Sequence, residues 1–136
     1  LKSKLKEAGF GGIIGTWLEE DSGGKNYAAS YTWKIEDRVI EVRTKDPNNE
    51  SVALMAVNAS NGQIFQAGAD KQGASSLGEW KLDVDGSAVL SLIVTGGDGG
   101  QFPLGIRHKM IGQDKMQVTI QLPEPIRMTL VRKNKK

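Results

Sequence analysis

Ten short segments of alternating polar and apolar residues, each closed by a turn signal, constrain this chain more than any other feature. They run roughly over 13–20, 27–36, 38–45, 51–58, 62–70, 77–84, 87–95, 102–111, 115–122 and 126–133. Tyr27, Ala29, Tyr31, Trp33 and Ile35 share one face of the second segment, with Ser30, Thr32 and Lys34 on the other. Phe102, Leu104, Ile106, His108 and Met110 oppose Arg107 and Lys109. Met116, Val118, Ile120 and Leu122 alternate with Gln117, Thr119 and Gln121. A period of two marks a strand with one buried and one wetted face. The links are short and rich in turn residues, among them Ser22-Gly23-Gly24-Lys25, Ser60-Asn61-Gly62, Asp85-Gly86 and Gly112-Gln113-Asp114. Asn-Gly and Asp-Gly favour hairpin turns with positive φ. Short links make successive strands antiparallel neighbours. One helix is expected before them, where Leu1, Leu5 and Ala8 fall at helical spacing and Gly9 is a stop.

With so little helix to cover a sheet, two all-β architectures remain, a sandwich and a barrel. Sequential hairpins favour the antiparallel up-and-down β-barrel, of about 8–10 strands, because Greek-key crossings need longer links. The expected organisation is an N-terminal helix and linker over 1–11, the barrel over 12–133 and a basic tail over 134–136, with Gly11-Gly12 as a hinge. At 136 residues the chain is one domain able to bury a core without staples. The absence of cysteine excludes disulfides, thiolate metal sites and a Cys nucleophile, and leaves the compartment open. A net charge of +2 makes no strong field, and the lysines gathered at both ends read as solvated termini. The aromatics share strand faces with aliphatics, so no nucleic-acid partner is expected. No apolar run approaches the ~20 residues of a spanning helix, so no membrane insertion is expected either. The chain opens on Leu1 rather than Met, which points to a trimmed product.

Gly15-Thr16-Trp17 resembles the opening of the calycins, the superfamily of lipocalins and fatty-acid-binding proteins. The chain is more similar to a family of bacterial lipocalin-like domains. These show a G-x-W start, a hairpin of the D-P-x-T-G kind, an acidic-glycine turn and a second tryptophan after glycine. The corresponding stretches here are Asn58-Ala59-Ser60-Asn61-Gly62-Gln63, Asp70-Lys71-Gln72-Gly73 and Gly78-Glu79-Trp80, with Leu130-Val131-Arg132-Lys133 at the close. Asn58 and Ala59 stand where Asp-Pro is usual, so turn chemistry keeps that hairpin without identity. The resemblance covers about residues 12–133. It implies a closed barrel, and fold alone does not carry a ligand with it.

In a closed meander the first and last strands pair, which sets Trp17 beside Arg132. A guanidinium stacked on the indole would close the barrel floor and contribute ~0.5–2 kcal/mol. Arg127 is the alternative partner. The expected interior holds Tyr31, Trp33, Leu54, Trp80, Leu82, Phe102, His108 and Met128, with Ala29, Ala56, Gly68, Gly78 and Ala88 leaving room among them. Tyr31, Trp33, Trp80, Phe102, His108 and Met128 are the candidate ligand-binding residues, since aromatics combine large contact area with a polar handle. Two states of that interior remain open: a ligand cavity, or a core filled by its own side chains. His108 is the single histidine. It reads as a hydrogen-bonded core residue or as an axial haem ligand, and no cofactor is expected.

Catalytic machinery is hard to assemble from these residues. No G-x-S-x-G occurs, and Glu19-Glu20 and Glu36-Asp37 are sequence neighbours that point apart. Gly96-Gly97-Asp98-Gly99-Gly100 lacks the Lys-Ser/Thr and helix of a phosphate loop and reads as a hairpin tip. In Ser51–Val57 both faces are apolar. The outer one is expected to lie under the N-terminal helix or against a second copy, so a homodimer is a live expectation. The resulting reading is a barrel that performs no catalysis and binds a small hydrophobic or amphipathic molecule in its interior. The alternatives are an accessory or dimerisation domain with a filled barrel, and a haem-binding barrel using His108.

Overall fold

Every alternating segment forms a strand in the computed structural model, which describes residues 1–133. A short helix α1 (Lys2–Glu7) and a single 3-10 turn (Gly11–Ile13) precede β1 (Gly15–Glu19), β2 (Ala28–Ile35), β3 (Val39–Asp46), β4 (Asn49–Val57) and β5 (Ile64–Asp70). There follow β6 (Ser75–Leu82), β7 (Ala88–Thr95), β8 (Gln101–Ile111), β9 (Lys115–Gln121) and β10 (Ile126–Arg132). Each strand pairs antiparallel with the next, and β10 returns to β1, so the ten-stranded up-and-down barrel is closed. Closure gives every strand two partners and removes the free edges that an open sheet would present. The proposed basic tail, 134–136, lies outside the described residues.

The β2–β3, β4–β5, β6–β7 and β8–β9 turns lie at one end, which we call the floor. The Leu1 amino group donates to the Asp37 carbonyl in the β2–β3 turn, and Lys2 pairs with the Asp37 carboxylate at 3.4 Å, so α1 crosses that end. Leu5, Phe10 and Ile13 are buried there and join the core. Above them the barrel is filled by inward residues that cross-strand register brings level. Tyr31 faces Val42, Val42 faces Ala53, Trp80 faces Leu90 and Met116 faces Leu130. All of these are buried.

Four expectations about the interior are corrected. Leu54 is on the outer wall, 46% exposed, and Ala56 shares its face. The inward residues of β4 are Ala53 and Met55, held there by pairing with Val42 and Ile40. Because both faces of this strand are apolar, alternation alone does not tell which is inside. Leu82 lies at the very end of β6 and is 60% exposed. Phe102 sits near the other end of the barrel, the mouth, where the eleven-residue β8 begins, and is 48% exposed. Gly68 and Gly78 do not open a void. A Cβ on Gly78 would overlap the Ser91 carbonyl oxygen, and one on Gly68 would lie 2.6 Å from the Val52 oxygen, so both glycines serve close strand approach.

Candidate functional site

The floor has two halves. On the β1–β10 side, register places Trp17 opposite Arg132. Trp17 is fully buried and its Nε1–H donates to the Ile13 carbonyl at 2.8 Å. The Arg132 guanidinium carbon lies 4.4 Å from the centre of the Trp17 ring. Arg132 Nη1 donates to the Ile14 carbonyl at 2.8 Å, and Nη2 donates to the carbonyls of Gln113, at 2.9 Å, and Gly12. Its Nε lies 3.4 Å from the Asp114 carboxylate. Gly15 explains why the strand opens on glycine. Its φ is +134°, and a Cβ would lie 2.7 Å from Arg132 Nη1. Both the backbone angle and the space exclude a larger residue.

On the β4–β7 side, α1 and the 3-10 turn roof a half-open cavity of about 550 Å³. Leu5, Phe10 and Ile13 form the roof, and Met55, Ile64 and Trp80 rise from the barrel to form its base. The exposed Lys4, Glu7 and Lys81 stand around its opening. This volume falls inside the range of small-molecule sites, and the lining has their usual character, mostly apolar with few polar groups.

Trp80 is held in place from behind. Its Nε1–H donates to Gln66 Oε1 at 3.0 Å, which satisfies two buried polar groups at once. The His108 ring packs on it, centroids 4.6 Å apart and planes tilted by 50°. His108 Nδ1 lies 3.1 Å from the Ile106 carbonyl oxygen. Burial pushes its pKa down to about 4, and the Ile106 and Ala88 carbonyls only partly oppose that. The imidazole is therefore neutral at physiological pH, with Nδ1 assigned as the donor to Ile106.

Of the six candidate ligand-binding residues, Trp80 alone lines this cavity, together with Leu82 and Ala88 of the expected interior, and the His108 ring packs behind Trp80. Tyr31 is buried in mid-barrel, where desolvation drives its phenol well above the ordinary range. Trp33 is half-buried toward the floor end of β2, Met128 is half-buried on β10 opposite Val118, and Phe102 is at the mouth. Leu5, Phe10, Ile13, Met55 and Ile64, which also line it, carry no site signal of their own in the sequence. The helical spacing of Leu5 was the one signal pointing to them, since it gives α1 an apolar face that must cover something. Among the described residues no group of three or more His, Asp or Glu side chains is placed to hold a metal ion. No helix among them is long and apolar enough to cross a membrane. The chain matches no known protein family, no curated protein and no solved structure.

Proposed function

We propose that this protein is a lipocalin-like barrel that binds a small hydrophobic or amphipathic molecule without acting on it chemically, and that the site is the cavity between α1 and the floor. The observation that carries the reading is an apolar space of about 550 Å³ based on Trp80. Burial drives the binding, at about 2.5 kcal/mol for each 100 Å² of apolar ligand surface removed from water. The indole gives a broad rigid face, fixed by Gln66 and His108. Lys4, Glu7 and Lys81 are within reach of a polar end that stays near solvent. His108, on which a catalytic or haem-binding role would rest, instead packs on Trp80 and hydrogen-bonds its own strand. The tightly filled mid-barrel favours a second reading, an accessory domain that associates with other protein and holds no ligand.

The test is a titration of the purified chain with 1-anilinonaphthalene-8-sulfonate, alongside native mass spectrometry. Saturable single-site binding is expected. Ala8→Trp, which fills the cavity from α1, is expected to weaken it at least tenfold with an unchanged far-ultraviolet circular dichroism spectrum. Binding that is indifferent to Ala8→Trp, or absent with no co-purified adduct, would leave the accessory reading standing.

A further inference from the structure

Both legs of the β6–β7 turn (83–87) belong to the cavity. Lys81 and Leu82 lead into the turn, Ala88 leads out of it, and all three line the space under α1. Leu82 is mostly exposed, so packing alone does little to fix this edge. Polar contacts fix it instead. Asp85-Gly86 makes the tight turn, with Gly86 at φ +85° and the Asp83 N–H donating to the Ser87 carbonyl at 2.8 Å. Asp85 Oδ1 accepts from the Ser87 N–H at 2.9 Å and from the Ser87 hydroxyl. Arg107, on β8, closes the cluster from another strand. Its Nη1 donates to Asp83 Oδ2 at 2.8 Å and to Ser87 Oγ, and lies 3.7 Å from the Asp85 carboxylate. Ser87 is fully buried among these groups. The Arg107 hydrogen bond holds the Asp83 carboxyl below the usual carboxylate range, and the Ser87 hydroxyl does the same for Asp85. Both acceptors therefore stay charged at neutral pH. Arg107 alternates with the buried His108, so it pulls on the turn from outside the barrel. The β4–β5 turn, which brings Gly62 and Gln63 to the same cavity, is held differently. There Asn58 accepts from the Ser60 N–H and Asn61 from the Gln63 N–H, within the turn itself.

We infer that Arg107 is a positioning residue for the cavity: without lining the space, it fixes the turn that carries Lys81, Leu82 and Ala88 in the arrangement a ligand meets. The inference rests on the ligand-binding reading above. A turn left free has to be ordered when the ligand arrives, and that ordering lowers affinity. With the clamp in place the edge is ordered beforehand. An isolated exposed ion pair contributes little of this kind. Here a single guanidinium nitrogen binds a carboxylate and a buried hydroxyl together, and the hydroxyl in turn holds the second carboxylate, so residues 83, 85 and 87 are fixed as one unit.

Titration of the full chain with 1-anilinonaphthalene-8-sulfonate, with urea unfolding alongside, tests this. Arg107→Met is expected to raise the probe's dissociation constant about fivefold in a protein that remains folded, and the milder Asp83→Asn about twofold. Arg107→Lys is expected to recover most of the wild-type affinity, because one nitrogen makes all the contacts and a point charge can replace it. Lys45→Met removes an exposed ion pair with Glu50 at the mouth and is expected to leave binding unchanged. Amide exchange at Asp83 and Gly86 is expected to quicken in Arg107→Met. A role in stability alone would lower the urea midpoint and leave affinity as it was. Wild-type affinity in both Arg107→Met and Asp83→Asn would therefore overturn the inference and leave the cavity reading intact. Wild-type binding that is absent, or indifferent to Ala8→Trp, would remove the cavity reading and this inference with it.

Discussion

On the β1–β10 side of the floor, one guanidinium reaches the carbonyls of Gly12, Ile14 and Gln113 over a fully buried indole. On the β4–β7 side, Leu5, Phe10 and Ile13 cover Met55 and Trp80 through apolar contact and leave about 550 Å³ between them. The same end of one barrel is thus a seam on one side and a roof on the other. Charge-assisted hydrogen bonds from a planar fork fix direction as well as distance, so the two terminal strands are locked in one register. Apolar contact from a six-residue helix has no preferred direction and cannot fill every gap beneath it. The half built from directional bonds holds the fold, and the looser half carries the cavity we propose as the ligand site.

The largest test of this contrast is Trp17→Ala. It empties a fully buried site and strips Arg132 of its stacking partner. A loss of about 3–5 kcal/mol is expected in urea unfolding, enough to threaten the whole stability of a domain this size. A loss below about 1 kcal/mol would mean that the seam does not hold the barrel shut.

Acid acts on the other half. The folded pKa of His108 is about 4, against 6.5 in the unfolded chain, so between those values the unfolded state binds more protons and stability rises with pH. Its contribution is complete above about pH 6.5 and is lost as pH falls toward 4. The size is about 3 kcal/mol at most, since each unit of pKa difference is worth ~1.4 kcal/mol. In His108→Gln the acid-side decline is expected to shrink by that amount, measured as urea unfolding at a series of pH values. A histidine C2–H resonance that titrates near 6.5 in the folded protein would contradict the buried, neutral ring and weaken the claim that it braces Trp80.

The seam and the roof were also unequally legible in the sequence. Ten strands could be read because alternation and turn chemistry agree, as at Asp85-Gly86 and Asn61-Gly62. The Trp17–Arg132 contact followed from topology: once a meander closes, its first and last strands must meet. The cavity did not follow. It lies between a helix and a barrel end that touch only after both have formed, and no period in the sequence encodes how a short helix docks. The same limit applies to β4, where Leu54 and Met55 are equally apolar and only register with β3 decides which of them is buried. At Gly78 small size suggests room inside, whereas the β6–β7 spacing uses it to admit the Ser91 carbonyl.

The smallest effect separates the two halves most finely. Leu5 is as deeply buried as many core residues, and truncating such a leucine in a well-packed core costs about 2–5 kcal/mol. Here the side chain borders a space that is already open, and α1 is also held at its start by the Leu1 and Lys2 contacts with Asp37. Truncation there enlarges a space already open to solvent and leaves no sealed void. Leu5→Ala is therefore expected to cost only about 1–2 kcal/mol in urea unfolding, well under half of Trp17→Ala. Local opening should respond more than global stability. Amide exchange at Leu5, Ala8 and Phe10, whose N–H groups bond to Leu1, Lys4 and Leu5, should quicken while the β1–β10 amides keep their protection. Equal acceleration on both sides of the floor would mean that roof and seam open together, and the division between a structural half and the proposed binding half would fall.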